Sequence, residues 1–167
     1  AKAVSIVAER RQGTAKTLQD WQKVESTWQV AVNALEPIPV KSSAYSDAQK
    51  LISEYKPRLL AARNRRTKEL MAQETYQKAL NAVSLAKRYQ RKNQWLGAVE
   101  QWQIVLNSAK QVANNSLYSV KAEKLIVPAS NSLGKAREKL AVYNRMQKTR
   151  SDLERTCSSE IRVCTYI

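Results

Sequence analysis

The sequence predicts an all-α protein of two helical-hairpin units joined by a long helix, with a short strand at the C-terminus. Three observations carry this expectation. Glycine and proline are scarce, at three and four in 167 residues, so little interrupts the helices. Apolar residues recur at spacings of three and four. All four tryptophans fall in two pairs, Trp21/Trp28 and Trp95/Trp102, each member 74 residues from its counterpart. Seven residues is about two helical turns, so each pair lies on one helix face with Val24 or Ala98 between.

Taken in order, residues 3–12 are helical in character, with Val4, Val7 and Ala8 on one side and Gly13-Thr14 as the break after them. A second helix is expected from about Thr17 to Leu35, with the stripe Leu18, Trp21, Val24, Trp28, Val32 and Leu35. The run Glu36-Pro37-Ile38-Pro39 stops it, because proline cannot extend the hydrogen-bond ladder. Ser42 and Ser43 offer capping hydroxyls for a third helix, in which Pro57 predicts a kink or a break. No glycine or proline occurs from Arg58 to Gly97, which predicts one long helix. Its middle, residues 64–69, is polar all round and is expected to face solvent. Lys92-Asn93 is the next turn, followed by a helix over about Gln94–Val112, a loop at Ala113–Ser116, and a last helix to about Leu153 that contains Pro128 and Gly134. Residues 159–167 alternate with β-branched side chains and read as a strand. Such a strand needs a partner, so segment 160–167 is expected to pair with residues beyond this sequence or with another chain.

The match between halves extends beyond tryptophan. Lys50-Leu51-Ile52 is answered by Lys124-Leu125-Ile126, and Leu59, Ala62 and Arg63 by Leu133, Ala136 and Arg137. Upstream, Ala3–Ile6 is matched by letter with Ala82–Leu85. The implied organisation is a first three-helix unit over residues 1–65, a second over 66–150, and a C-terminal segment over 151–167. Such self-similarity belongs to repeat architectures.

Leu85, Ala86, Tyr89, Asn93, Trp95, Ala98, Trp102 and Leu106 fall at the spacings of a tetratricopeptide repeat, which the second unit resembles. Small residues there let two helices approach, and large aromatics fill the space beside them. Lys110 stands where that family has proline, and the 74-residue spacing differs from a tandem period of about 34. The fuller pattern, from Trp-x2-Val-x3-Trp through Leu-Glu-Pro-Ile-Pro to Tyr-Ser-Asp-Ala-Gln, is similar to helical-hairpin repeat regions of cyanobacterial proteins. Those often lie behind a membrane anchor or beside a second domain. The resemblance implies a spacer or interaction module, and with the missing initial Met it tilts the expected location towards extracytoplasmic or membrane-associated.

Histidine is absent, which removes the commonest general base and metal ligand and any Ser-His-Asp set. Cofactor and metal sites are not expected. The net charge of +15 is spread along the chain. It reads either as solvated helix faces or as attraction to an anionic partner. The candidate anion- or partner-binding residues are Arg63, Arg65, Arg66 and Lys68 in one group and Lys87, Arg88, Arg91 and Lys92 in another, with Arg145, Lys148 and Arg150 as a third. The tryptophans read as core, with a ligand groove at Trp28 or Trp102 as the alternative. Cys157 and Cys164 form a candidate disulfide, with free thiols the other possibility. The function expected is a non-enzymatic scaffold or adaptor binding another protein, with an acidic surface as one candidate. The alternative is a basic module docking on anionic lipid or, less favoured, nucleic acid.

Overall fold

The computed structural model describes residues 1–157. The expected strand and Cys164 lie outside the described residues. Among the described residues there are five helices and no strand: α1 Lys2–Thr14, α2 Leu18–Asn33, α3 Tyr45–Arg91, α4 Trp95–Gln111 and α5 Ser119–Cys157. The all-α class is as expected. The chain divides into two compact units, one of Ala1–Tyr76 with Val112–Val120, the other of Gln77–Gln111 with Lys121–Ile167.

Local chemistry sets the helix ends. Thr17 and Asp20 form a capping box at the start of α2. The Asp20 N–H donates to Thr17 Oγ1 at 3.1 Å, while the Lys16 and Thr17 N–H groups donate to Asp20 Oδ2 at 3.1 and 2.9 Å. The Lys16 N–H, and after it the Thr17 hydroxyl, hold the Asp20 carboxyl below its ordinary range. The folded value is depressed, so the stabilisation is present above the ordinary carboxylate range and is lost as pH falls through the folded value. At the other end of α3, Asn93 takes φ 55°, the left-handed conformation that asparagine tolerates. The Gln94 N–H donates to Tyr89 O at 3.0 Å and the Asn93 N–H to Gln90 O at 3.1 Å, the paired closure of a Schellman motif.

Neither internal proline breaks its helix. Pro57 lies inside α3 and Pro128 inside α5. Both are exposed, as are Ser53 and Lys124 four residues earlier, so the carbonyls left without an N–H partner are open to water. The break offered as one reading of Pro57 does not occur.

In the first unit the core is Ala8 of α1, Val24, Trp28, Ala31 and Val32 of α2, Leu35, and Ala48, Ile52, Tyr55, Leu59 and Ala62 of α3. Trp28 and Tyr55 meet with ring centroids 5.4 Å apart. In the second unit it is Ala82 and Ala86 of α3, Ala98, Trp102, Val105 and Leu106 of α4, and Ala129, Leu133 and Ala136 of α5. From Val24 onward every buried apolar residue of the first core has a counterpart 74 positions on that is buried or half-buried and apolar. The tryptophans follow suit: Trp28 and Trp102 are buried, and Trp21 and Trp95 are half-buried.

Polar contacts repeat with the same period. Arg63 Nη2 donates to Gln29 Oε1 at 3.3 Å, and Gln29 Nε2 to Asn33 Oδ1 at 2.7 Å. Arg137, Gln103 and Asn107 repeat both bonds at 3.1 Å each. The turn before each unit's third helix is duplicated as well. Ser42 N–H reaches Pro39 O at 2.9 Å and Tyr45 N–H reaches Ser42 O at 3.0 Å; the counterparts Ser116 to Ala113 and Ser119 to Ser116 measure 3.0 and 3.3 Å. The letter match of Ala3–Ile6 with Ala82–Leu85 is not reflected in burial. Buried Ala8 and half-buried Val4 instead share their spacing with buried Ala86 and Ala82.

Gly97 is held small by a neighbour. A Cβ there would sit 3.0 Å from Tyr89 Cδ1, whereas at Gly134 it would meet nothing within 4 Å. Gly97→Leu should therefore destabilise by about 1–3 kcal/mol, while Gly134→Ala should stabilise by about 0.5–1 kcal/mol, both read from urea unfolding. Trp28→Ala and Trp102→Ala should each cost about 3–5 kcal/mol in the same assay, and a much smaller loss at either would remove that tryptophan from the core.

Candidate functional site

The first basic group is drawn into the fold. Arg63, Arg65, Arg66 and Lys68 follow one another on α3, inside the stretch expected to face solvent. Glu25 of α2 is reached by Arg63 Nε at 3.1 Å and by Arg66 Nε at 2.7 Å. Arg65 lies with its guanidinium carbon 5.4 Å from the ring centroid of Trp21. Its Nη2 is 2.7 Å from Oε1 of Glu69, a carboxylate with 0% exposure. The Arg65–Glu69 contact is charge on charge without hydrogen-bond alignment. The other carboxylate oxygen accepts the Leu117 N–H at 2.8 Å. Lys68 donates to Asn115 Oδ1, and the Tyr76 and Tyr118 rings lie 5.7 Å apart. Residues 64–69 thus do not form a solvated spacer. A buried carboxylate caps the loop before α5, and arginine neutralises it.

Glu69 was not legible in the sequence, because a buried carboxylate reads there as one more polar letter. Its spacing of four from Arg65 is a weak signal.

The second group differs. Lys87, Arg88, Arg91 and Lys92 are all exposed and form no ion pair among the described residues. At 100° per residue the four lie within an arc of about 140° on one side of the helix. Here the cations also complement the negative end of the α3 dipole. Tyr89, on the other side of α3, is set against Gly97, so the last turn is fixed by packing as well as by Asn93. In the third group Arg150 Nε pairs with Glu154 at 2.8 Å, one turn away on α5.

The tryptophan face of the first unit carries a cleft of about 510 Å³, lined by Glu9, Gln12, Gly13, Trp21, Trp28, Arg58 and Ala61. Arg58 pairs with Glu9 and Glu54 and lies 5.4 Å from the Trp28 ring centroid. Among the described residues the indole N–H groups of Trp21 and Trp28 have no hydrogen-bond partner, and neither has that of Trp102 in the other unit.

Cys157 is in a disulfide. Among the described residues no cluster of His, Cys, Asp and Glu is placed to hold a metal ion, and no helix is long and apolar enough to cross a membrane. No protein-family model matches the chain, and no curated protein or solved structure is significantly similar to it.

Glu69→Ala should lower stability by about 2–4 kcal/mol, since it strands the Leu117 N–H and leaves Arg65 without its carboxylate. Glu69→Gln should cost distinctly less, because its amide oxygen can still accept that N–H. Equal losses in urea unfolding would show that the hydrogen bond contributes little.

Proposed function

We propose that the chain is a non-enzymatic scaffold of two tetratricopeptide-like hairpins that docks an acidic protein through Lys87, Arg88, Arg91 and Lys92. The observation that carries this reading is the contrast between two basic groups on one helix. Near Glu25 and Glu69 the arginines already have internal carboxylates. At the end of α3 four exposed cations share a face and, among the described residues, have no such carboxylate. Their helix end is held by the Asn93 turn and by Tyr89, so a partner meets the charges on a defined backbone. Exposed cations of this kind steer encounter and set register, and they contribute less to affinity. The absence of histidine and the helical-hairpin pattern support a binding role. The net charge of +15 favours a second reading, docking on anionic lipid or nucleic acid.

Charge reversal separates these readings. Binding of the wild-type chain to polyglutamate, to phosphatidylserine vesicles and to duplex DNA would be measured at about 0.15 M salt, beside a variant carrying Lys87→Glu, Arg88→Glu, Arg91→Glu and Lys92→Glu. The expected result is saturable polyglutamate binding that falls by about tenfold or more in the variant, with helical circular dichroism unchanged. Tighter binding of vesicles or DNA than of polyglutamate moves the assignment to the second reading. Unchanged binding by the variant rejects this face.

A further inference from the structure

The cleft of the first unit has no part in the basic face proposed above. Helices α1, α2 and α3 all line it, and its volume of about 510 Å³ falls within the roughly 300–1,000 Å³ of small-molecule sites. It exists because two of its lining residues are small. Gly13 has no side chain, and a Cβ there would meet nothing within 4 Å, while Ala61 brings only a methyl group. The aromatic walls are fixed by packing. Trp28, at 1% exposure, meets Tyr55 on one part of its ring and Arg58 on another, each 5.4 Å away. Half-buried Trp21 is steadied by Arg65 and still offers apolar surface to the cleft.

The charges around the cleft are already matched. Arg58 gives Nη1 to Glu9 of α1 and Nη2 to Glu54 of α3. An anionic ligand would have to displace carboxylates from that guanidinium. A cationic ligand would meet Arg58 and Arg65, which already lie by the two tryptophan rings. A neutral ligand meets neither obstacle. What the rim leaves open is hydrogen bonding of both kinds. Glu9 keeps acceptor lone pairs, Arg58 keeps N–H donors beyond the two in use, and the exposed Gln12 amide brings a donor and an acceptor. A hydroxyl group is donor and acceptor at once, so a polyhydroxylated ring suits such a mixed rim. The C–H bonds on the face of a pyranose carry slight positive charge, and the face of an indole is slightly negative.

We infer that this cleft binds a neutral saccharide, one pyranose ring lying against Trp21 with its hydroxyls on Glu9, Gln12 and Arg58. Recognition needs no ion pair to break, so binding is nearly insensitive to salt. That sets it apart from the contact with an acidic protein, which screening weakens.

Proton–nitrogen correlation spectra of the full chain test the inference, because the four tryptophans give one indole N–H signal each. Trp21→Phe and Trp28→Phe assign the two signals of the cleft. The probes are cellobiose, maltose and N,N′-diacetylchitobiose, with choline and citrate as charged comparisons. At least one disaccharide should shift the Trp21 and Trp28 signals saturably and leave those of Trp95 and Trp102 in place. Ala61→Tyr fills the cleft and should weaken that binding by about tenfold or more. Gln12→Ala empties nothing and removes one amide, so a loss of about fivefold is expected. Both positions are exposed, and unchanged helical circular dichroism would show that both variants fold. Retention on chitin or cellulose, competed by the same disaccharide, would place the ring at a polysaccharide chain; its absence would make the free sugar the ligand. The inference is overturned if no disaccharide moves the Trp21 signal up to about 0.1 M, well beyond the range of specific binding. It is equally overturned if all four indole signals move together, if choline or citrate binds more tightly than every disaccharide, or if Ala61→Tyr binds as the wild type does.

Discussion

Small residues at the helix contacts are the constraint on which both units depend. Ala31, Ala48 and Ala62 in one and Ala98, Ala122 and Ala136 in the other are buried to within a few per cent. A helix carrying alanine at a contact can be approached closely, and the gap beside it then needs one large side chain. Trp28 and Trp102 fill that role. The four tryptophans therefore mark where helices come together. The uncommitted chemistry is left to the outer surfaces.

Much of this was legible in the letters, and the reason is periodicity. The stripes through Trp21–Val32 and Trp95–Ala109 predict α2 and α4, and the structure places both within two residues or so of the expected ends. Asn93 reads as a turn because asparagine tolerates the left-handed conformation. The prolines were harder. Pro57 and Pro128 carry the same letter as Pro37 after α2, and all three are exposed, so the letter alone does not say which proline a helix accommodates. The basic site was half legible. The sequence gives seven candidate cations on α3 and an eighth, Lys92, just past its end, and cannot say that carboxylates meet some of them. Glu25 lies 38 residues from Arg63, and that contact exists only once α2 and α3 are packed.

Glu69 shows how a polar segment can hold a fold together. A carboxylate at 0% exposure is costly to bury, and here it is compensated by Arg65 on one oxygen and the Leu117 N–H on the other. The Leu117 N–H bond is directional where alanine packing is not, so it fixes the position of the loop before α5. The corresponding residue in α5 is Tyr143, whose surroundings are open.

The two cores share a backbone plan and differ in content, in a coupled way. In the first unit the Tyr55 hydroxyl donates to Ser5 Oγ at 3.0 Å, in the interior. At the equivalent places the second unit has Ala129, and Val83 at the position that burial aligns with Ser5. A buried polar pair in one half is thus an apolar pair in the other, and Val105 and Leu106 stand where the first has the smaller Ala31 and Val32. Neither member of such a pair can change alone without stranding a hydroxyl or opening a void. A lineage of such repeats would show this as covariation between the first and third helices of each unit, and far less as conservation of either residue.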